Sequence, residues 1–279
     1  MTESPSTQRP RGSYDAPREN RDLEAELARL EAQALLSWPV EARRLRWLGL
    51  RDGMRILELG CGPGYVTREL AALFPAAEIT ALDSDGVMLA HCRATLDRAG
   101  VAGVRLVAAP AADSGLPANH FDAVLSRYLF QHLADPEAVA REALRTLRGG
   151  GRHVVIDVDD LLWGLADPTY PQLRAIYERA AVAHAERGRR TDVGRRLGRV
   201  LRAAGYVDVE QDLFSYDSDA LGLEAFREQL SADRLLSAQG AGALSLAEIA
   251  LVHALVERFV EDPRAFVLFA GFIAVGTKP

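Results

Sequence analysis

The chain is expected to be an α/β protein built on a parallel, doubly wound sheet, and three observations carry that expectation. Arg55-Ile56-Leu57-Glu58-Leu59 is an apolar run that stops at three closely spaced glycines, Gly60, Gly62 and Gly64, and beyond it Val66, Leu70, Leu73 and Phe74 fall at helical spacing. That is a strand, a tight turn and a helix start. Residues 77–83 (A-E-I-T-A-L-D) then read as a second strand that ends in an acid, Asp83, about 20 residues past the turn. Three further apolar strands, at 101–108, 123–126 and 153–158, are separated by helical patterns, and such alternation specifies a parallel sheet with helices on its faces.

The turn and the acid also say something about a ligand. Glycines let backbone N–H groups approach a bound molecule closely, but the spacing is G-x-G-x-G, and Tyr65 stands where a dinucleotide fingerprint places its third glycine. No Lys-Ser/Thr follows to grip phosphates. At the second strand end, the Asp83 carboxylate suits the vicinal hydroxyls of a ribose, since two acceptor oxygens meet two donors. The pattern therefore favours a nucleoside ligand without a pyrophosphate.

The chain has 279 residues, 48% of them hydrophobic, which suffices for a sizeable core and for one domain with a cap or insertion. No apolar run approaches the ~20 residues of a membrane span, and the N-terminus lacks the apolar centre of a signal peptide, so a cytoplasmic protein is expected, with no membrane partner. Two cysteines, Cys61 and Cys92, show no metal-ligand spacing and fit a reducing compartment. The net charge is −6 and the arginines are dispersed among acids, which disfavours a nucleic-acid partner.

Taken in order, residues 1–20 are rich in Ser, Pro, Arg and Glu and are expected to form a mobile segment, with Tyr14 as a possible lid over the site. Residues 21–50 supply N-terminal helices. The first places Leu23, Leu27, Leu30 and Ala34 on one face with Gln33 at its edge, and a second begins at Pro39 and turns Trp38, Leu45, Trp47 and Leu48 toward the sheet. Residues 51–279 form the main domain. Ser84-Asp85 can cap a helix over 86–98; Asp135-Pro136 starts a helix that the glycines 149–151 end. Two helical insertions are expected, at about 160–190 and 218–262, and the first carries Leu161, Leu162, Trp163, Leu165, Tyr170 and Tyr177 as an apolar, aromatic surface. Strands over 206–214 and 266–276 complete the sheet.

The string Glu58-Leu59-Gly60-Cys61-Gly62-Pro63-Gly64 resembles motif I of the class I S-adenosylmethionine-dependent methyltransferases, and within them the small-molecule group similar to the ubiquinone and menaquinone biosynthesis enzymes. The resemblance covers residues 54–158 by motif and the rest by order of elements. It implies a seven-stranded Rossmann-like sheet of order 3-2-1-4-5-7-6 with strand 7 antiparallel. It places Glu58 near the methionine ammonium of the cofactor, the Gly60, Cys61 and Gly62 backbone beside its methionine part, Asp83 on the ribose, and Ser84 and Met88 near the adenine. The loop A-P-A-A-D-S-G-L-P is similar to the family's D-A-x-x-L-P but puts Ala112 where the Asp belongs and Asp113 one place late. Either the loop slips by one and Asp113 meets the adenine, or Asp113 caps locally and backbone alone holds the ring. Ser126, at the end of the fourth strand, would lie beside the methyl group, and Gln33 near the methionine end.

What the resemblance implies for activity is methyl transfer from S-adenosyl-L-methionine to a small, aromatic or polyketide-like metabolite through an O, N or C atom. S-R-Y-L at 126–129 lacks the N-P-P-Y-like tetrad of enzymes that methylate base or glutamine amines. If the acceptor must lose a proton, His132, Tyr128 and Tyr14 are the candidate bases, His132 by its ordinary pKa range. Asp157, Asp159 and Asp160 cluster after the fifth strand, yet a metal site of the catechol type also needs an acid where Ser126 stands, so no metal is expected. A monomer or homodimer is expected. The alternative is a protein of this fold that binds the cofactor without transferring methyl, as a cyclase or regulatory subunit; a nicotinamide oxidoreductase is a third reading that Tyr65 opposes.

Overall fold

The computed structural model describes residues 23–160, 164–240 and 242–279. Tyr14 and Leu161 to Trp163 lie outside them. Eight strands form one sheet: β1 (Arg55–Leu59), β2 (Glu78–Asp83), β3 (Arg105–Ala108), β4 (Phe121–Arg127), β5 (Leu147–Asp157), β6 (Gly164–Asp167), β7 (Val207–Asp217) and β8 (Phe266–Thr277). The order β3-β2-β1-β4-β5 is parallel throughout, and β8 returns antiparallel between β5 and β7. Apart from β6 this is the expected seven-stranded order. β6 falls inside the stretch expected to be helical and pairs with the Phe266 end of β8. Gly164 makes that pairing feasible, because a Cβ there would sit 2.8 Å from the Phe269 ring.

The ten helices among the described residues are α1 (Leu23–Trp47), α2 (Tyr65–Leu73), α3 (Gly86–Arg98), α4 (Pro136–Thr146), α5 (Pro171–Glu186), α6 (Leu197–Ala204), the short α7 (Ser218–Leu221), α8 (Arg227–Leu230) and α9 (Leu236–Gly240), and α10 (Leu246–Glu261). Alternate residues of each central strand feed opposite layers. Ile56, Ala123, Leu125, Val154 and Ile156 pack toward α1, α2 and α3. Leu57, Leu59, Val124 and Val155 pack toward Val139, Ala140 and Ala143 of α4 and Leu197, Leu201 and Ala204 of α6. Burial on both faces is why these strands read as nearly continuous apolar runs.

Several local expectations need correction. α1 is one helix that continues through Pro39, which sits exposed on its outer side while Leu36, Trp38, Ala42 and Leu45 bury against the sheet and cap. Trp47 does not face the sheet; it is 67% exposed. The three glycines 149–151 lie within β5 rather than ending α4, whose last helical residue is Thr146. Residues 218–236 are not one helix but a run of short turns, with Gly222 at φ 82 breaking the pattern. α10 begins with a reciprocal cap, Ser245 and Glu248 each bonding the other's backbone N–H. Above the sheet, Ile176, Ala180, Ala183, Ala238 and Val252 join α5, α9 and α10 in a separate apolar cluster. No helix among the described residues is long and apolar enough to cross a membrane.

Candidate active site

The site is built at the carboxyl ends of β1, β2, β4 and β5. Gly60, Gly62 and Gly64 take φ values of 72, 53 and 80°, a region that costs other L residues about 1 to 2 kcal/mol. Each serves a different need. A Cβ on Gly64 would meet Cys92 Sγ at 2.5 Å and its Cα at 2.9 Å, so this glycine lets α2 start tightly against α3. Nothing lies within 4 Å of a Cβ on Gly62, so that side of the bend is open to a ligand.

The bend and the end of β2 are tied directly. The Gly60 and Cys61 N–H groups donate to the Leu82 carbonyl at 2.8 and 3.0 Å. The Gly62 N–H donates to Asp83 Oδ2 at 2.8 Å, and the Asp85 N–H donates to Asp83 Oδ1 at 2.9 Å. Both carboxylate oxygens are thus anchored by backbone with lone pairs remaining. Burial raises the Asp83 pKa, and the Asp85 and Gly62 N–H groups oppose the rise. Glu58, 2% exposed, accepts a 2.7 Å hydrogen bond from Thr67 in the first turn of α2. Burial pushes its pKa up to about 7, against the lowering influence of Thr67 and of Arg127. Cys61 and Cys92 are free, buried thiols, and Cys61 Sγ donates to the Gly62 carbonyl at 3.8 Å.

Beside Asp83, Ser84 is exposed and Met88 buried, while Asp85 caps α3 by accepting from the Val87 N–H at 2.8 Å. The Ala109 N–H donates to the Asp83 carbonyl at 3.1 Å, which keeps the following loop next to this end of the sheet. Ala112 and Asp113 are both exposed on that loop, with the Asp113 N–H on the Pro110 carbonyl at 3.0 Å.

Ser126 pairs with Leu59 in register, but its hydroxyl lies 2.9 Å from His153 Nε2, and His153 Nδ1 lies 2.9 Å from the Tyr206 hydroxyl, which donates to the Ala140 carbonyl. Burial lowers the His153 pKa to about 3, so the ring is neutral and the Ser126 hydroxyl is held in this buried chain. Its position at the strand end, and not its side chain, carries its assignment to the site.

The next two residues were legible only in part. Arg127, whose side chain is 8% exposed, forms a 2.7 Å ion pair with the wholly buried Glu41 of α1 and donates to Ser37 at 3.0 Å and to the Gln33 carbonyl at 3.4 Å. Its guanidinium stacks 4.1 Å above the Tyr128 ring. Tyr128 adopts φ 52°, and burial raises its hydroxyl pKa. A left-handed Tyr at a strand end is held by its surroundings against strain, a common trait of ligand-binding positions. Thr67 and Glu41 were missed in the sequence. The signal for Glu41 was the pair Ser37 and Glu41, spaced by four among apolar residues of α1.

His132 follows on a short turn. Burial lowers its pKa to about 3, with Arg189, Arg29 and His184 adding to the drop, so its ring is neutral at physiological pH and a weak proton acceptor. Gln33 accepts from Arg29 Nη1 at 3.0 Å. The three carboxylates after β5 go to different partners: Asp157 accepts from the Gln131 N–H at 3.1 Å, Asp159 pairs with Arg195 at 2.6 Å, and Asp160 with Arg189 at 3.4 Å. Of the aromatic surface expected in the first insertion, Leu165 is 69% exposed, Tyr170 packs near Phe259 and Tyr177 donates to the Leu230 carbonyl. These rings build the cap's interior.

An open glycine bend, a carboxylate bonded to it and a buried acid at the first strand end, all on a 3-2-1-4-5 sheet with an antiparallel return, are the arrangement of the class I S-adenosylmethionine-dependent methyltransferase fold. Residues 57–155 match a methyltransferase domain model. The chain is 33% identical over 132 residues to the ubiquinone/menaquinone biosynthesis C-methyltransferase UbiE of Ectopseudomonas mendocina, covering 47% of this chain and 49% of that one. It is 33% identical over 187 residues to the trans-aconitate 2-methyltransferase of Methylobacterium radiotolerans, covering 67% of this chain and 64% of that one. In fold it resembles phosphoethanolamine N-methyltransferase 2 of Haemonchus contortus, solved with S-adenosyl-L-methionine, at a TM-score of 0.57 and 19% identity over 87% of this chain and 53% of that one. The chain thus spans about half to under two thirds of the length of these proteins.

Proposed function

We propose that the protein binds S-adenosyl-L-methionine and transfers its methyl group to a small, aromatic or polyketide-like metabolite. The observation that carries the reading is the 2.8 Å bond between the Gly62 N–H and Asp83, with open space beside Gly62, because it puts a ribose acceptor and a close-approach backbone on one surface. Asp83 would hold the ribose hydroxyls, and the Gly60 to Gly62 backbone would pass the amino-acid part. Glu58 would face the ammonium, Met88 would pack near the adenine, and the loop with Ala112 and Asp113 would close that end.

When bound, the cofactor supplies an activated methyl on a sulfonium. The work left to the chain is positioning: holding the acceptor atom in line within ~3 to 3.5 Å and excluding water. Arg127, fixed by Glu41 and Ser37, holds the Tyr128 ring at the end of β4, where the acceptor would lie. If a proton must be removed, Tyr128 and His132 are the candidates among the described residues. Burial holds the His132 ring neutral and the Tyr128 hydroxyl protonated.

Calorimetry with S-adenosylhomocysteine tests the reading. Binding below about 100 μM, lost in Asp83→Ala, is the expected result, and no heat at that concentration would end it. A mass-spectrometric screen of metabolite extracts for methylated products then addresses the acceptor.

A further inference from the structure

Three segments distant in sequence each bring one arginine within electrostatic reach of the others, beside the ends of β4 and β5. Arg29 comes from α1, Arg189 from the turn after α5, and Arg234 from the short helical run after β7. Arg189 donates to Gln131 Oε1 at 2.9 Å, lies 3.4 Å from Asp160 and 3.5 Å from His184 Nδ1. Gln131 in turn donates to the Tyr128 carbonyl at 3.4 Å, so the cluster adjoins the residue at the proposed methyl site. Arg29 forms an ion pair with Glu26 at 2.6 Å and bonds Gln33. Arg234 donates to the Gln229 carbonyl at 3.2 Å and to its side-chain oxygen.

Two independent features set this cluster apart from ordinary ion pairing. The first is like charge under cover: burial, then Arg29 and Arg189, push the Arg234 pKa down to about 10, an unusual value for a guanidinium. The second is Gln229, only 4% exposed, whose Nε2 is without a hydrogen-bond partner among the described residues although its Oε1 receives Arg234. Orphaned buried donors are rare in native structures, and one beside clustered guanidiniums suits an oxygen-rich anion.

The geometry points to an acceptor that carries a carboxylate or phosphate group, seated on Arg29, Arg189, Arg234 and Gln229 while its reacting atom faces the methyl position near Tyr128. This rests on the methyltransferase reading and adds the charge class of the acceptor. It requires no guanidinium without a partner, since each has five N–H donors to share. A seat of this kind orients a substrate as well as binding it, because a planar fork meets a planar anion in one direction.

The experiment uses the full chain saturated with S-adenosylhomocysteine, titrated with benzoate, methyl benzoate and phenyl phosphate by ligand-observed NMR. Tighter binding of benzoate or phenyl phosphate than of the neutral ester, by about tenfold or more, is expected, and the better of the two anions distinguishes carboxylate from phosphate. Arg189→Met and Arg234→Met should each remove that preference, while the exposed control Arg43→Met keeps it. Equal binding of ester and anions, no binding of either anion at 10 mM, or an unchanged preference in both variants would overturn the proposal. Affinity for S-adenosylhomocysteine is measured on the same samples, so loss of the cofactor reading is seen separately. The ester comparison on the unaltered chain stands even if a variant fails to fold.

Discussion

The Gly62 N–H and Asp83 Oδ2 are hydrogen-bonded at 2.8 Å, so the bend after β1 and the end of β2 form a single surface. Removal of this carboxylate should affect binding more than folding, because Asp83 is only partly buried and the Gly62 side of the bend is open. Asp83→Ala is expected to weaken S-adenosylhomocysteine by at least about tenfold, the worth of one or two charge-assisted hydrogen bonds. Calorimetry measures it, and Asp83→Asn should fall between.

Gly62 and Gly64 separate binding from stability. Gly64→Ala would force a Cβ to within 2.5 Å of Cys92 Sγ at φ 80°, and strain plus overpacking should cost about 2 to 4 kcal/mol. Gly62→Ala meets no atom and should cost about 1 kcal/mol from its φ alone. The expected pattern in thermal melts and titrations is a large fall in Tm for Gly64→Ala, and for Gly62→Ala a small one accompanied by loss of cofactor affinity.

Glu58 links pH to both folding and binding. Its pKa in the folded chain, about 7, lies above the ordinary 4.5 because burial disfavours the charge. Protons are therefore bound more tightly when folded. The contribution to stability is complete below the ordinary carboxylate range and is lost as pH rises through about 7. Glu58→Gln should flatten the fall in stability between about pH 5 and 8 seen in urea titrations, leaving the similar share from Asp157, also raised to about 7 by burial. A bound ammonium beside Glu58 would favour its ionised form, so S-adenosylhomocysteine affinity should rise across the same interval. Calorimetry in buffers of different ionisation heat should show proton release.

Arg127 and Glu41 are a buried pair, with side chains 8% and 0% exposed. Arg127→Met leaves the Glu41 carboxylate enclosed without its cation, and should destabilise by about 3 to 5 kcal/mol. The double variant Arg127→Met, Glu41→Leu should recover much of that loss in chemical denaturation.

His132 should give no inflection in a pH–rate profile near its ordinary range, since burial and nearby arginines hold its pKa at about 3. An inflection near pH 6.5 that disappears in His132→Gln would contradict this.

The glycine bend and the acid at the end of β2 were readable from the amino acids because each depends on local rules, positive φ after a strand and side-chain period, whereas the strand order followed from the family resemblance. The helix through Pro39 was misread because propensity alone ends a helix there, whereas burial of Leu36, Trp38 and Leu45 on either side carries it on. β6 was misread because a four-residue strand has no periodic signal; Gly164 against Phe269 decides it.

The sequence by itself determined the kind of sheet, the place of the bend and the position of Asp83 at the end of β2, all set by residues within a turn or two of one another. Only the tertiary structure decided that Glu41 neutralises Arg127 from 86 positions away, that Ser126 turns to His153, and that Arg29, Arg189 and Arg234 come within electrostatic reach of one another. Charged residues on separate helices look alike along a chain, since each fits an exposed face, and their role follows from which of them burial brings together.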